Sequence, residues 1–302
     1  MKKKNRYIGL CGKFPLICLI INMVRKSTQL ELDEFRERFM PESANTTTYT
    51  KQSFSEARQK LSSTAFTLLN DELIREFYAD DYFKIHYKGF RLLAIDASIL
   101  ELPNTKEVQK TFGYVRAQSK DFRVARAHSS HLYDVENKLV ISSCIAPYGE
   151  SERKMAKVNI EKMLSFEQTS IRNLILFDRA YPSAEFILYL QEKGIRYLMR
   201  SSACFYKEVI NTSTPDETVR IEITKERAKD LKQRRTIIKV GTVVEVRVIK
   251  VELPTGEMET LVTNLTTEEL SYEESKPLYF KRWGILSASF CYAHLFLRNV
   301  DF

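Results

Sequence analysis

Two aspartates sit inside otherwise apolar runs, Asp96 in "FRLLAIDASILEL" and Asp178 in "NLILFDRAY". Each run has the length and composition of a buried strand. A carboxylate among Leu, Ile and Phe side chains is costly unless a cation or hydrogen-bond donors offset its desolvation. A divalent ion meets that need: Mg2+ takes oxygen ligands, keeps several waters and bridges to phosphate, so two or three carboxylates form a suitable holder. Two such ions activate an attacking oxygen and stabilise a leaving one in a displacement at phosphorus. Plainer readings stand beside this one. Asp96 could be a strand-end residue capping a turn with Ser98, and Asp178 could open a loop or pair with Arg179. The two positions are 82 residues apart, so only folding can bring them together.

Further candidates lie near the carboxyl end, where Tyr279 and Arg282 in "YFKRWGI" are three apart and share a helix face. Arginine can grip phosphate through two N–H groups and tyrosine can offer a hydroxyl. The next residue on that face is Leu286. His128 and His131 are three apart on a β-like run, which places them on opposite faces and argues against joint metal ligation. The five cysteines (Cys11, Cys18, Cys144, Cys204, Cys291) are scattered and form no C-x-x-C. Neither a zinc site nor a disulfide framework is indicated, and a reducing cytoplasm fits.

The elements that must position these groups follow from periodicity. Residues 14–85 read as helical: apolar positions recur at helical spacing in "LELDEFRERF", and "KQSFSEARQKLSSTAFTLLNDELIREFY" predicts one helix over 51–78. On that helix Lys51, Arg58 and Lys60 suit a surface facing DNA phosphates, or equally a solvated face. The N-terminal "MKKKNR" and "FPLICLIINMV" imitate a secretory signal, but no small-x-small cleavage site follows and the apolar stretch is shorter than a membrane span. A buried helix of a small N-terminal domain is expected there. From residue 90 the pattern turns to strands, with a hairpin around "ENK", a helix in "SERKMAKVNIEKMLSF" and another in "SAEFILYLQEKG". Residues 204–265 read as β-rich around a "PTG" turn, and helix returns in "EELSYEESKPLYFKRWGI".

Lys and Arg outnumber Asp and Glu 47 to 39, a net charge of +8 that favours a polyanionic partner such as DNA, RNA or an acidic membrane. Charge alone does not choose among them.

The quoted segments decide more together than singly. "LLAIDAS", "LILFDRAYPSAEFILYLQEKGIRYLMR" and "YFKRWGI" make the chain closely resemble DDE transposases of bacterial insertion sequences, of the insertion-sequence-four type, over about Phe14 to Ile285. The resemblance implies an α/β fold: a ribonuclease-H-like mixed-sheet core over 87–302 with a β-strand insertion at about 204–265, preceded by a helical DNA-binding region over 1–86. It implies that Asp96 and Asp178 are catalytic acids holding Mg2+ or Mn2+ in a two-metal site. It also implies that Tyr279 and Arg282 open the helix signature Y-x-x-R-x-x-x-E-x-x-x-x-x-x-K. Offsets of 0, 3, 7 and 14 residues return to one side of a helix, so these four groups would form a stripe toward the scissile phosphate.

In this chain the glutamate position holds Leu286 and the lysine position Ala293. The resemblance therefore stops one residue before the third acid, and the tail 286–302 is apolar-rich, as a frameshift or truncation would produce. The site is expected to be weakened: Glu273, Glu274 and Asp301 lie in directions or at distances that do not replace position 286. The implied function is DNA transposition, with cleavage and strand transfer impaired. The implied partners are insertion-sequence ends and target DNA, with a second copy of the chain or a full-length transposase as protein partner. The expected location is the cytoplasm, at the nucleoid rather than a membrane. The competing reading is a non-catalytic DNA-binding remnant that represses a full-length transposase.

Overall fold

The computed structural model describes residues 13–22, 26–39, 49–79, 84–116, 123–166, 171–202, 205–233, 237–253 and 255–285. They fall into two compact units, one up to Phe77 and one from Tyr78. In the first, α1 (Lys13–Asn22), α2 (Thr28–Phe39) and α3 (Lys51–Arg58) enclose a small core of Leu16, Leu19, Leu32, Phe35, Tyr49 and Phe54, and Phe66 of α4 (Thr64–Ala79) packs against it. The apolar face of α1 is thus spent on an intramolecular core. No described helix is long and apolar enough to cross a membrane.

The single helix expected over 51–78 is two helices. Thr50 and Ser53 form a reciprocal cap at the start of α3. The helix then breaks, and Ser62 Oγ accepts the Thr64 N–H at 3.3 Å to begin α4. Serines compete for backbone hydrogen bonds, and two in succession at 62–63 mark the break.

The second unit runs β1 (Phe90–Glu101), α5 (Lys106–Phe112), β2 (Tyr114–Arg116), β3 (Arg123–Asp134), β4 (Leu139–Pro147), α6 (Glu152–Leu164), β5 (Arg172–Phe177), α7 (Ala184–Glu192) and β6 (Arg196–Arg200). It continues with α8 (Lys207–Ile210), β7 (Asp216–Glu222), α9 (Lys225–Gln233), β8 (Val243–Glu252), β9 (Met258–Thr263) and α10 (Tyr272–Phe280), which passes into a 3-10 turn over Lys281–Trp283. One mixed sheet orders its strands β2-β3-β1-β5-β6-β9-β8-β7, with β4 also paired to β3. β1, β5 and β6 are parallel neighbours and the other pairings are antiparallel.

Strands β1 and β5 read as continuous apolar runs because both faces of the sheet are covered there. On one face Leu92, Ala94, Leu174 and Leu176 pack with Leu278 and Tyr279 of α10. On the other, Phe177 meets Phe186 of α7 edge to face, with ring centroids 5.2 Å apart, and α6 packs on β3 and β4. A meander followed by a helix and parallel strands is the ribonuclease-H-like arrangement, here with a helical N-terminal region.

The stretch 204–265 is not purely β. It contains α8 and the charged α9, and its strands extend the main sheet, β9 pairing with β6 through Leu198 and Thr263. The sequence of α9, "KERAKDLKQ", is so charged that it shows almost no apolar face to read. The carboxyl-terminal helix is also shorter than "EELSYEESKPLYFKRWGI" suggests. Ser271 and Glu274 cap its start reciprocally, and Pro277 removes one internal hydrogen bond.

Candidate active site

Parallel pairing of β1 and β5 sets Ala94 opposite Leu176, an offset of 82 residues. Asp96 and Asp178 are separated by the same offset and follow that last pair by two positions, Asp96 still on β1 and Asp178 just past the end of β5. Neighbouring strands lie about 4.8 Å apart, and alternate residues share a face. Asp96 therefore continues the Leu92–Ala94 face, on which α10 packs, and Asp178 follows the strand that carries Leu174 and Leu176 on that face. Asp96 is mid-strand, paired with His131, so the turn-capping alternative with Ser98 does not hold. Asp178 lies just beyond β5 and its Oδ1 accepts the Ala180 N–H at 2.8 Å, so it does open a loop, as well as flanking Asp96.

Burial is the main influence on Asp96, and with the negative fields of Asp178 and Glu152 it raises the carboxyl to about 6 against the pull of Arg282 and the Ala97 N–H. These five groups occupy one electrostatic neighbourhood. Arg282 is 7% exposed, stands with its guanidinium 5.7 Å from the Tyr279 ring centroid and 4.6 Å from that of Trp283, and has an unpartnered Nε. Burial pushes the Tyr279 hydroxyl up to about 12, with Glu259 and Asp178 adding and Arg282 opposing. Tyr279 and Arg282 thus sit on the same side of the sheet edge as the aspartates, although Arg282 belongs to the 3-10 turn rather than α10.

Two groups near this edge carried no sequence signal of their own. Glu152 opens α6, and its carboxyl is raised by burial and by Asp178. Tyr181, fully buried, has a hydroxyl without a hydrogen-bond partner and feels Glu152, Asp96 and Asp178. A glutamate in a helix's first turn is an ordinary complement to the helix dipole, so sequence reasoning has no reason to single it out.

The remaining candidates are engaged with other partners. His131 is held between Ser129 Oγ at 2.8 Å and Ser143 Oγ at 2.9 Å, while His128 Nδ1 contacts the Glu150 carbonyl at 3.0 Å from the other face. Glu274 is engaged by the Ser271 cap and by Lys88 at 2.5 Å. Lys51 and Lys60 are exposed and Arg58 stacks 5.8 Å from the Phe54 ring centroid; all three belong to the first unit, with Lys60 past the end of α3. Positions 286–302, including Leu286, Ala293 and Asp301, lie outside the described residues.

Among the described residues, no group of three or more His, Cys, Asp or Glu side chains is arranged to hold a metal ion. Asp96 and Asp178 are carboxylate oxygen donors, which fits the chemistry of a hard divalent ion that completes its shell with water and phosphate.

Residues 87–285 match the family model described as a transposase DDE domain, and the chain belongs to that family. Among solved structures, the piggyBac transposase synaptic complex with hairpin DNA is similar at 11% identity and a TM-score of 0.47, over 92% of this chain. This chain spans 58% of the length of that transposase. No curated protein matches the chain.

Proposed function

We propose that this chain is a DNA transposase of an insertion sequence, with Asp96 and Asp178 as ligands for Mg2+ or Mn2+. A divalent ion bound there would polarise the phosphate and lower the pKa of its water. The protein's own groups do the rest. Asp96 holds a largely buried carboxylate whose charge a cation would offset, with the Asp178 carboxylate near it. Arg282, buried beside Tyr279, presents a fixed positive charge to the phosphate. Lys51, Arg58 and Lys60 are assigned to the DNA backbone outside the reacting phosphate. The observation that supports this reading is the parallel pairing of β1 with β5, which leaves Asp96 beside the strand end that Asp178 follows.

Cleavage is impaired in this reading because Leu286 occupies the third acid's position, and the family match ends at Ile285. The test is nicking of a plasmid bearing the element's ends in Mg2+ and in Mn2+, alongside a mobility shift on the same ends. Retarded DNA with near-background nicking is the expected pair of results. Nicking at a high rate that disappears in Asp96→Asn would overturn the impairment but keep the site. Nicking unchanged in Asp96→Asn and Asp178→Asn would overturn the site.

The alternative reading, a DNA-binding remnant that occupies the ends against a full-length transposase, draws support from the separate core of the first unit. Inhibition of a full-length transposase in trans, retained in Asp96→Asn, would favour it.

A further inference from the structure

The helix that covers the far side of the sheet begins at the carboxyl edge of β1. Asn159 of α6 donates to Ser130 Oγ at 3.1 Å and accepts from Ser142 Oγ at 2.9 Å, while one turn earlier the Met155 carbonyl meets Cys144 Sγ at 3.8 Å. Along the sheet, Ser142 is level with Leu132 and Ile95, and Cys144 with Ser130 and Ala97. The axis of α6 therefore points past Asp96 toward the strand's end, and Glu152, a further turn back, arrives at that edge from the face opposite α10. Here Glu152 and Asp178 repel each other, and both act on Asp96.

Acidic residues gathered at an edge would not by themselves define a ligand. The second observation is Tyr181. Its ring is packed between Phe177 and Phe186, with centroids at 5.2 Å and 6.1 Å, and its backbone N–H meets the Asp178 carbonyl at 3.4 Å. Its hydroxyl is fully buried, has no hydrogen-bond partner, and is set in the combined field of Glu152, Asp96 and Asp178, with Glu152 the strongest. A buried hydroxyl left unpaired is costly. Arg282 Nε, equally unpartnered, approaches from the other face. Three carboxylates and two unused donors converging on one edge have the chemistry to receive a hydrated cation together with an anionic oxygen.

We propose that Glu152 is the third carboxylate of the cation site, acting through the ion's water rather than by direct ligation, with the Tyr181 hydroxyl as its neighbour. This inference rests on the reading of Asp96 and Asp178 as the ligands. An outer position agrees with the absence of a three-ligand group among the described residues. It also gives a chain with leucine at 286 a third negative charge at the site, from α6. Groups that orient a ligand or its water from outside the direct shell typically change metal affinity by about 10–100-fold when removed.

The experiment is calorimetric titration of the full chain with Mn2+, without DNA, so that no activity is needed. Glu152→Gln is expected to weaken Mn2+ binding by about 10-fold. Glu152→Asp, which keeps the charge, is expected to retain most of the affinity. Asp96→Asn and Asp178→Asn are expected to abolish binding. Circular dichroism melts without metal check that each variant folds; should Glu152→Gln fail to fold, an affinity for Glu152→Asp equal to that of Glu152→Asn would refute the role of charge. Loss of binding in both Asp variants with parental affinity in Glu152→Gln overturns this inference alone. Binding that survives both Asp substitutions, or a parent chain that binds no Mn2+, overturns the site itself and the inference with it.

Discussion

Asp96 lies on β1 beside the end of β5, the strand that Asp178 follows, because the parallel register sets Ala94 opposite Leu176. A slip of one residue would turn one carboxylate to the opposite face. The site is therefore as secure as the buried pairing of Leu92, Leu93 and Ala94 with Leu174, Ile175 and Leu176 beneath it.

The pH dependence of stability should carry the mark of Asp96. Its carboxyl rises from 3.8 to about 6 on folding, so the folded state favours the protonated form. That contribution is fully present below about pH 4 and is lost as pH rises through 6. Asp96→Asn should therefore be more stable than the parent at pH 7.5, by on the order of 2–3 kcal/mol. The difference should shrink toward zero below pH 4, measured as urea unfolding midpoints across the range. A difference independent of pH would contradict the burial of this carboxyl.

His131, the cross-strand partner of Asp96, should show the opposite sign. Burial lowers its pKa from 6.5 to about 4, so the folded state favours the neutral ring. That stability is present above about pH 6.5 and is lost as pH falls toward 4. Compared with the parent, His131→Gln should lose less stability between pH 6.5 and 4.5, and NMR of the ring should show no protonation at pH 5.5.

Tyr78 donates its hydroxyl to Asp134, whose Oδ1 also accepts the Glu136 and Asn137 N–H groups at 3.1 and 2.9 Å. Asp134 is fully buried at the hairpin between β3 and β4. Tyr78→Phe removes one donor from a buried carboxylate and should cost about 1–3 kcal/mol in chemical denaturation. No loss would mean that the turn's own N–H groups suffice.

Arg247 binds Asp216 at 2.7 Å through Nε and donates through Nη1 to the carbonyls of Thr266 and Leu270 at 3.0 and 2.7 Å. It thereby ties β7 and β8 to the segment that leads into α10 and carries Tyr279 and Arg282. Arg247→Met leaves the partly buried Asp216 carboxylate without its guanidinium and takes a donor from the Leu270 carbonyl, while the Thr266 carbonyl keeps the Leu270 N–H at 3.0 Å. The expected cost is about 3–5 kcal/mol in urea or guanidinium unfolding. Arg247→Lys, able to reach only part of this set, should fall between.

If Lys51, Arg58 and Lys60 touch DNA phosphates, each substitution by Gln should weaken binding to all sequences alike. Each should also reduce the slope of log affinity against log salt by about 1. Unchanged slopes would return these residues to a solvated face.

Much of this was legible in one dimension. A carboxylate within or at the end of an apolar run is conspicuous wherever it occurs, so Asp96 and Asp178 stand out, as do the strand that holds the first and the strand that the second follows. The motif around "DRAYPS" carried the family. The sequence misjudged helices whose signals are local and polar: the serine break before Thr64, the charged α9, and the change to a 3-10 turn after Phe280.

Sequence alone determined which residues are too costly to bury without a purpose, because that cost belongs to the side chain and its neighbours along the chain. Tertiary structure alone decided which of them meet. The register of β1 on β5 left Asp96 beside the strand end that Asp178 follows, and the packing of α6 on β3 and β4 put Glu152 within the field of both. Neither can be read from periodicity, which reports the face a residue takes but not the element that will pack beside it.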